Sequence, residues 1–392
     1  MKVLIYHKLF TSFLAGGAFQ PLKFVAELQK TCEVTLAVNG NADIRHVAEM
    51  SGVPIDADRL QVVRLDPEVS FVTSREWLAS LLRTRKLKAL AKDAAICIST
   101  ANIMDFGKPG HHFVYLLSQF AGAAFYDYLM GRRGGFGVRR ILRRIGTAFY
   151  ENIVKPMFGV RPLKRIVADR RERIYPTSGY VETILRGYFG PFNSSVFYPP
   201  TTFEFHATDA RRDPLLAIYV GRIFPPKKIT DIIAVVERAR TISGKDLRLH
   251  IAGQLHQSPY TDLLRSMERE RPWLRLVGPV YGKEKETFML SATYALHAER
   301  DEAFGIAIAE YLKAGCIPIV PDEGGPSEIV DDKLLEFHTI EEAANTLSRL
   351  VREDTFREER RRHCADRAVE FSLDAYERRQ HAVIAKILEE AR

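Results

Sequence analysis

The chain has 392 residues, of which 46% are hydrophobic and 27% are charged, the composition of a soluble globular protein. A chain of this length is too long to fold around one ordinary hydrophobic core, which favours two domains of roughly 150–200 residues each. The four cysteines lie far apart without a C-x-x-C pair, which argues against a zinc site or a disulfide framework and suits a reducing cytosol.

The net charge of +8 is concentrated in one segment. Residues 132–173 hold thirteen lysines and arginines against three acids, a local net charge of +10, so the rest of the chain sums to −2. A locally basic surface implies a locally anionic partner, such as phospholipid, a polyphosphate carrier or nucleic acid.

In the first half of the chain, short apolar runs alternate with helix-like stretches. The first run follows Met1 directly, without the long apolar core and cleavage site of a signal peptide, so we expect a cytoplasmic protein. We predict strands at residues 2–6, 33–38, 94–99, 113–117 and 173–176, and helices at residues 19–30 and 75–92.

The apolar segment 113–130 carries one charge, Asp127, and its 18 residues reach the lower limit for a membrane span. Ser118, Gln119 and three tyrosines favour instead a buried strand followed by a helix. A surface that contacts a membrane is the alternative.

A linker is predicted after the run Tyr198-Pro199-Pro200, because two prolines suppress both helix formation and ladder pairing. We therefore expect an N-terminal domain at residues 1–198, a linker at 199–213 and a C-terminal domain at 214–375. Residues 376–392 are expected to form a C-terminal helix that packs back on the N-terminal domain.

The second half repeats the alternation of strands and helices. Strands are predicted at residues 215–220, 247–251, 274–277, 294–297 and 317–320, and helices at residues 230–243, 260–271, 306–314 and 341–352. Two such series in succession favour an α/β protein with two doubly wound domains, each built on a parallel sheet covered on both faces.

The strongest chemical signal lies between Glu302 and Glu310, which seven residues separate. Gly305 ends a loop and Ile306 begins a helix, whose free N–H groups can bind phosphate. Glu310 lies about one turn into that helix, where two acceptor oxygens match the adjacent hydroxyls of a ribose. Glu302, on the loop, can accept hydrogen bonds from the hydroxyls of a sugar.

A second loop whose backbone N–H groups could bind phosphate follows the next strand. Gly324 and Gly325 precede Pro326, which opens another helix. Together with Phe304-Gly305 between the glutamates and the run Ala-Gly-Cys-Ile-Pro-Ile-Val at 314–320, this order resembles the donor site of retaining glycosyltransferases of family 4. The resemblance implies the GT-B fold, in which two Rossmann-like domains face a cleft.

The resemblance also implies the reaction and the roles of the residues. A sugar moves from a nucleoside diphosphate sugar to a hydroxyl, and its anomeric configuration is retained. Glu310 would hold the ribose and Glu302 would orient the donor sugar, while the residues around them approach the donor closely: Ala303, Phe304, Gly305, Ile306, Gly324 and Gly325. The motifs are compatible with UDP, GDP or ADP as the nucleotide.

Two further matches extend the resemblance. Gly221-Arg222 ends a strand and Lys227-Lys228 follow, as in the family, which implies that Arg222 and Lys227 bind the donor diphosphate. Lys228 stands where the family has glycine, so either lysine could point inward. In the N-terminal domain, Gly16 and Gly17 match a glycine-rich loop that contacts the donor phosphates or the acceptor, although two glycines also suit a plain turn.

The chain departs from the family at one position. Many relatives carry a histidine at the end of an N-domain strand, close to the transferred sugar, and this chain has none there. His111 and His112 precede the predicted strand and are interpreted as loop or cap residues. Acceptor activation is thus unassigned, and a phosphate oxygen of the donor remains as the group to take the acceptor proton.

No metal and no cofactor are expected beside the donor. No cluster of His, Cys and Asp has metal-ligand spacing in the sequence. The phosphate-binding loop G-x-x-x-x-G-K-[ST] and a G-x-G-x-x-G after a strand are also missing, which disfavours ATPases and dehydrogenases.

The basic segment 132–173 suggests what kind of acceptor the chain uses. Arg139, Arg140, Arg143 and Arg144 alternate with apolar residues and predict a basic amphipathic helix suited to an anionic membrane surface. The sequence is loosely similar to mannosyltransferases that elongate lipid-linked saccharides. A solvated basic face, a small soluble acceptor and nucleic-acid binding are the alternatives, of which the last leaves the two spaced glutamates unexplained.

Overall fold

The structure is a computed structural model that describes residues 1–8, 16–40, 43–66, 76–114, 145–201, 203–205 and 212–392. The chain forms two compact units. Unit 1 comprises Met1–Pro200 and Glu377–Arg392, and unit 2 comprises Thr201–Tyr376. The boundary thus falls directly after the two prolines that disfavour regular structure.

Unit 1 alternates strands and helices. Its described strands are β1 (Lys2–His7), β2 (Glu33–Val38), β3 (Gln61–Arg64), β4 (Ile96–Ser99), β5 (His111–Val114) and β6 (Arg173–Pro176). Its described helices are α1 (Gly16–Leu28), α2 (Ile44–Ser51), α3 (Glu76–Ala91), α4 (residues 145–157, with a π-helical turn at Tyr150–Val154), α5 (Leu163–Ala168) and α6 (Gly179–Phe189).

The described strands of unit 1 pair in the order β3-β2-β1-β4-β5-β6, and all these pairs are parallel. β1 is buried on both faces after its first residue, as expected for the centre of a parallel sheet that helices cover. The strand order reverses between β1 and β4. In doubly wound sheets, the carboxyl ends of the strands at this switch point flank the ligand crevice.

Unit 2 has the same plan. Its strands are β7 (Asp213–Val220), β8 (Arg248–Ala252), β9 (Leu274–Gly278), β10 (Ala292–Leu296), β11 (Ile317–Pro321) and β12 (Glu336–Phe337). Its helices are α7 (Ile229–Ser243), α8 (Pro259–Glu270), α9 (Gly282–Ser291), α10 (Ile306–Lys313), α11 (Gly325–Val330), α12 (Ile340–Arg352) and α13 (Asp354–Glu370).

The strands of unit 2 pair in the order β12-β11-β10-β7-β8-β9, again all parallel. Counted from the first strand of each unit, the two sheets have identical topology. The switch point of unit 2 lies between β7 and β10. The predicted α/β fold with two doubly wound domains is confirmed.

Local sequence signals fix several helix starts in unit 2. The Ser258 side chain accepts a hydrogen bond from the Thr261 N–H and so caps α8, whose first residue is proline. Thr339 and Glu342 form a reciprocal capping box at the start of α12. These helices therefore begin where the sequence satisfies the free N–H groups of the first turn.

The last helix, α14 (Leu373–Glu390), runs from the end of unit 2 into unit 1. Within unit 1, Glu377 forms an ion pair with Lys23. His381 Nε2 lies 3.0 Å from a carboxylate oxygen of Glu27 on α1, and Glu390 lies 3.3 Å from Arg173 on β6. Residues 377–392 thus pack on the same unit as the N-terminal strands.

The interpretation of His111 and His112 as loop or cap residues is wrong, because β5 begins at His111 rather than at residue 113. His112 is fully buried, and its Nε2 lies 2.9 Å from a carboxylate oxygen of the buried Glu172. This buried acceptor lets a histidine occupy a strand position that apolar residues usually fill. Both histidines lie at the amino end of β5, away from the carboxyl edge of the sheet.

Two predicted segments lie largely or wholly outside the described residues. These are residues 115–130 of the apolar segment, and Arg139, Arg140, Arg143 and Arg144 of the basic helix. Within the described ranges, no helix is both long enough and apolar enough to cross a bilayer.

Candidate functional site

The candidate site of unit 2 lies at the carboxyl ends of β7 and β10, the two neighbouring strands at the switch point. Gly221 and Arg222 follow β7, while Glu299 and Glu302 follow β10. Parallel strands bring these two loops to the same edge of the sheet. Residues distant in sequence therefore meet where doubly wound sheets bind ligands.

Lys227 is the lysine that points inward. It ends a 3₁₀ turn at Pro225–Lys227, is 8% exposed, and forms ion pairs with both Glu302 and Glu299. Lys228 instead takes a left-handed backbone conformation, with φ of 50°, at the start of α7. Glycine adopts this conformation without strain, so the glycine that the family resemblance implies at position 228 would fit the same backbone.

Sequence reasoning missed Glu299. Burial raises the pKa of the Glu299 carboxyl, with Lys227 opposing this shift. Burial also acts against ionisation of Glu302, but the Lys227 ammonium holds the pKa of that carboxyl below its usual value. Lys227 therefore favours the ionised form of Glu302, whose oxygens accept hydrogen bonds.

His297 completes this cluster. It is 5% exposed, and burial lowers its pKa to about 4, so its imidazole is neutral at pH 7. One side-chain nitrogen or oxygen atom from each of His297, Glu299 and Glu302 lies within 4.8 Å of those of the other two. The spacing of these residues in the sequence does not indicate that they come together. The Lys227 ammonium contacts both carboxylates, so the chain itself supplies positive charge at this position.

Glu310 lies on α10 with its side chain 7% exposed. Both carboxylate oxygens accept hydrogen bonds of 2.7 Å from the Lys285 ammonium. Lys285 comes from α9, and its ammonium lies 4.8 Å from the ring centroid of Phe203. Sequence reasoning missed Lys285, whose pairing orients the carboxylate while leaving it further lone pairs.

The start of α10 is open to an anion. Gly305 is its N-cap, with φ of 98°, and no side chain caps the N–H groups of the first turn. Ile306 begins the helix, while Ala303 and Phe304 are buried in the preceding loop. Free N–H groups and the helix dipole favour a bound phosphate at this end.

The second glycine pair packs against the loop that carries Glu302. The Gly325 N–H donates a 2.9 Å hydrogen bond to the Glu302 carbonyl. A Cβ atom on Gly325 would lie 2.5 Å from Phe304 Cα, and one on Gly324, whose φ is 98°, would lie 2.6 Å from the Arg300 carbonyl oxygen. These glycines thus fix how closely α11 approaches the loop.

Gly325→Ala is accordingly expected to push the loop away from α11. The free energy of unfolding should fall by about 1–3 kcal/mol because a packed backbone must shift. Donor turnover should fall on the order of tenfold or more, since Glu302 is displaced. Denaturant unfolding and a turnover assay measure both effects.

Gly146→Ala is the control for this substitution, because nothing lies within 4 Å of the added Cβ and Gly146 is on exposed α4. It should leave turnover unchanged. Wild-type turnover in Gly325→Ala would show that the close approach of α11 does not position Glu302.

The two glycines predicted in unit 1 occupy the first turn of α1. Gly16 is the first residue of the helix and Gly17 the second, and α1 follows β1 along the chain. Their amides belong to a helix N-terminus at the carboxyl side of a central strand, the position where such turns bind anions.

Unit 1 also contains a cavity of about 400 Å³ beyond the carboxyl ends of β1 and β2. Its lining includes Tyr6, Asn39, Trp77, Arg83, Tyr150 and Lys155. Aromatic rings and hydrogen-bonding groups together suit a sugar-like molecule. No sequence motif indicated this cavity, because its walls come from strands and helices far apart in the chain.

Residues 201–371 match the family described as "Glycosyl transferases group 1". Among curated proteins, none matches this sequence. Solved structures with a similar fold include Anabaena HepE in complex with UDP and glucose, at 12% identity and a TM-score of 0.65 over 98% of this chain and 100% of that one.

Two other similar structures share the fold over nearly the whole chain. Sucrose-phosphate synthase from Thermosynechococcus elongatus is 12% identical, with a TM-score of 0.67 over 99% of both chains. WaaG, a glycosyltransferase involved in lipopolysaccharide biosynthesis, is 12% identical, with a TM-score of 0.61 over 94% of this chain and 95% of that one.

Proposed function

We propose that this chain, a glycosyltransferase with the GT-B fold, transfers a sugar from a nucleoside diphosphate sugar to a hydroxyl with retention of anomeric configuration. One observation carries the proposal. At the switch point of unit 2, the buried Lys227 pairs with Glu302, beside a helix N-terminus that no side chain caps. The family match covers the same residues.

In this proposal, the bond between the anomeric carbon and the diphosphate oxygen breaks while the acceptor oxygen bonds to that carbon. Lys227 and Arg222 stabilise the negative charge that develops on the departing diphosphate. The acceptor proton passes to a phosphate oxygen of the leaving group. No histidine is required for this step, and neither a metal nor another cofactor takes part.

Two carboxylates hold the rest of the donor. Glu310, oriented by Lys285, accepts hydrogen bonds from the ribose hydroxyls. Glu302 is kept ionised by Lys227 and accepts from hydroxyls of the transferred sugar. The N–H groups at the start of α10 bind the diphosphate.

Arg222→Ala is expected to reduce turnover about tenfold or more, because a planar cation that acts on developing phosphate charge is lost. Arg222 is exposed and its guanidinium lies 4.9 Å from the Phe224 ring centroid, so the fold should tolerate the change. Steady-state release of nucleoside diphosphate measures the effect.

Arg238→Ala is the matched control, because Arg238 is an exposed arginine on α7 whose ion pair with Glu341 lies at the surface. It should turn over like the wild type. Equal rates for Arg222→Ala and the wild type would remove Arg222 from the donor site.

The test of the proposed reaction supplies UDP-, GDP- and ADP-sugars and follows release of the free nucleoside diphosphate. UDP-sugars come first because HepE is described in complex with UDP-glucose. Proton NMR of the product should show an α-linkage from an α-linked donor. An inverted product would contradict retention, and no release from any donor would contradict glycosyl transfer by this chain.

For the acceptor, we propose a glycan or lipid-linked saccharide at the cytoplasmic face of an anionic membrane. The support is the segment 132–173, whose net charge of +10 favours anionic headgroups. A soluble acceptor would instead give equal turnover in the presence and absence of anionic vesicles.

A further inference from the structure

Helix α4 carries an exposed apolar ridge, which we define as Ile145, Phe149, Ile153 and Met157. Their exposed fractions are 61%, 57%, 48% and 79%, respectively. Residues four apart lie on one side of a helix, so the four side chains form a continuous line. None of residues 145–157 is buried, so the ridge is accessible on the surface of α4.

We propose that the apolar ridge inserts into the interface of an anionic bilayer and seats unit 1 on the membrane. The inference rests on the proposed function, since it places a candidate acceptor cavity beside a lipid surface. Scattered apolar side chains are normal on a protein surface, but an aligned row of large ones marks an interaction surface.

The opposite side of α4 belongs to the cavity of unit 1. Tyr150, Glu151 and Lys155 line that cavity, and the Tyr150 hydroxyl donates a 3.3 Å hydrogen bond to the Trp77 carbonyl. One helix thus separates the cavity from the apolar ridge. A bilayer that takes up the ridge would therefore lie one helix away from this cavity, the candidate site for the head of a lipid-linked saccharide.

The positive charge around the ridge favours an anionic bilayer over a protein partner. Residues 132–150, which lead into and include half of the ridge, contain six arginines and no acid. Lys164 and Arg165 on the adjacent α5 are exposed. Apolar side chains flanked by arginine and lysine are the pattern of helices that lie in an anionic membrane interface.

Sedimentation with vesicles tests the inference. The probes are phosphatidylcholine vesicles with and without phosphatidylglycerol, at low and high salt. The ridge variant replaces Ile145, Phe149, Ile153 and Met157 with serine. We expect the full-length wild type to bind the anionic vesicles, and the ridge variant to bind at least about tenfold more weakly because the buried apolar area is lost.

A matched control variant replaces four exposed apolar residues of unit 2 with serine: Ile242, Leu263, Leu334 and Val369. It should bind vesicles like the wild type. A charge variant, in which glutamine replaces Arg139, Arg140, Arg143 and Arg144, should lose binding mainly at low salt because high salt already screens these charges.

Insertion has its own optical signal. The chain has two tryptophans, Trp77 and Trp273, and Trp77 lines the cavity on the other side of α4 from the ridge. In a Trp77→Phe, Trp273→Phe background, brominated lipids should quench a tryptophan placed on the ridge by Phe149→Trp, and they should not quench one placed on unit 2 by Leu263→Trp. This measurement on a protein that keeps an apolar ridge tests the inference even if the ridge variant fails to fold.

The inference is overturned if the wild type does not bind anionic vesicles, if the ridge variant binds equally well, or if the control variant loses binding to the same extent. Nucleotide-sugar turnover with each variant separates this outcome from failure of the proposed function. Turnover without vesicle binding contradicts only the membrane inference, whereas vesicle binding without turnover contradicts only the reaction.

Discussion

Lys227→Ala is expected to lower turnover with the donor sugar by about a hundredfold or more, because a preorganised cation acting on the leaving diphosphate is removed. Loss of the ammonium also leaves Glu299 and Glu302 adjacent without a counter-charge. The remaining pair should repel both each other and the phosphates. Single-turnover kinetics with saturating donor separate this loss of rate from weaker binding.

Lys228→Ala is the paired control. Lys228 contributes a left-handed backbone residue at the start of α7, which alanine can also supply, so turnover should stay within a few-fold of the wild type. A damaging Lys228→Ala together with a silent Lys227→Ala would show that the phosphate-binding lysine lies one residue later.

Glu310→Gln is expected to weaken binding of the nucleoside diphosphate about ten- to a hundredfold, because a charge-assisted hydrogen bond contributes roughly 1.5–3 kcal/mol. Glutamine keeps the size of the side chain but loses one acceptor and its charge. It also leaves the Lys285 ammonium without its carboxylate partner. Isothermal titration calorimetry with the free diphosphate measures the change.

Glu341→Gln serves as a control for this substitution, since Glu341 pairs with Arg238 at the surface of the same unit. Its diphosphate affinity should equal that of the wild type. Wild-type affinity in a folded Glu310→Gln protein would take Glu310 out of the ribose site.

Much of the fold follows from apolar runs of four to eight residues. The predicted bounds of β2 and β6 coincide with those in the structure, because each is a short run of mostly buried residues. β3 was missed because Gln61–Arg64 is an edge strand with mostly exposed residues, and it therefore lacks an apolar run. β12 has only two residues, too few for any pattern.

The candidate site was predictable only where its residues are close in sequence. Glu302 and Glu310 share one loop and helix, and the ordered run that contains them, through Gly325, carried the resemblance to a sugar-nucleotide site. Glu299 and Lys285 meet Lys227 and Glu310 only after β7, β10 and α9 have assembled. Such contacts depend on strand order, which local patterns do not encode.

The proposed membrane-contacting ridge shows the same limit of local patterns. Arginines and the apolar residues between them predicted a basic amphipathic helix around Arg139–Arg144, and those arginines lie outside the described ranges. The apolar ridge starts where that prediction ended, at Ile145. Its side chains look like core residues in the sequence, and only their exposure in the folded chain distinguishes them.

Titration of the wild type with UDP, GDP and ADP, followed by thermal unfolding, tests most directly whether unit 2 holds a sugar-nucleotide donor. One of the three should raise the melting temperature, because a ligand at a hundred times its Kd stabilises the fold by about 2.7 kcal/mol. The shift should shrink in Lys227→Ala and Glu310→Gln and persist in Lys228→Ala. No shift with any diphosphate, or equal shifts in all variants, would contradict the account.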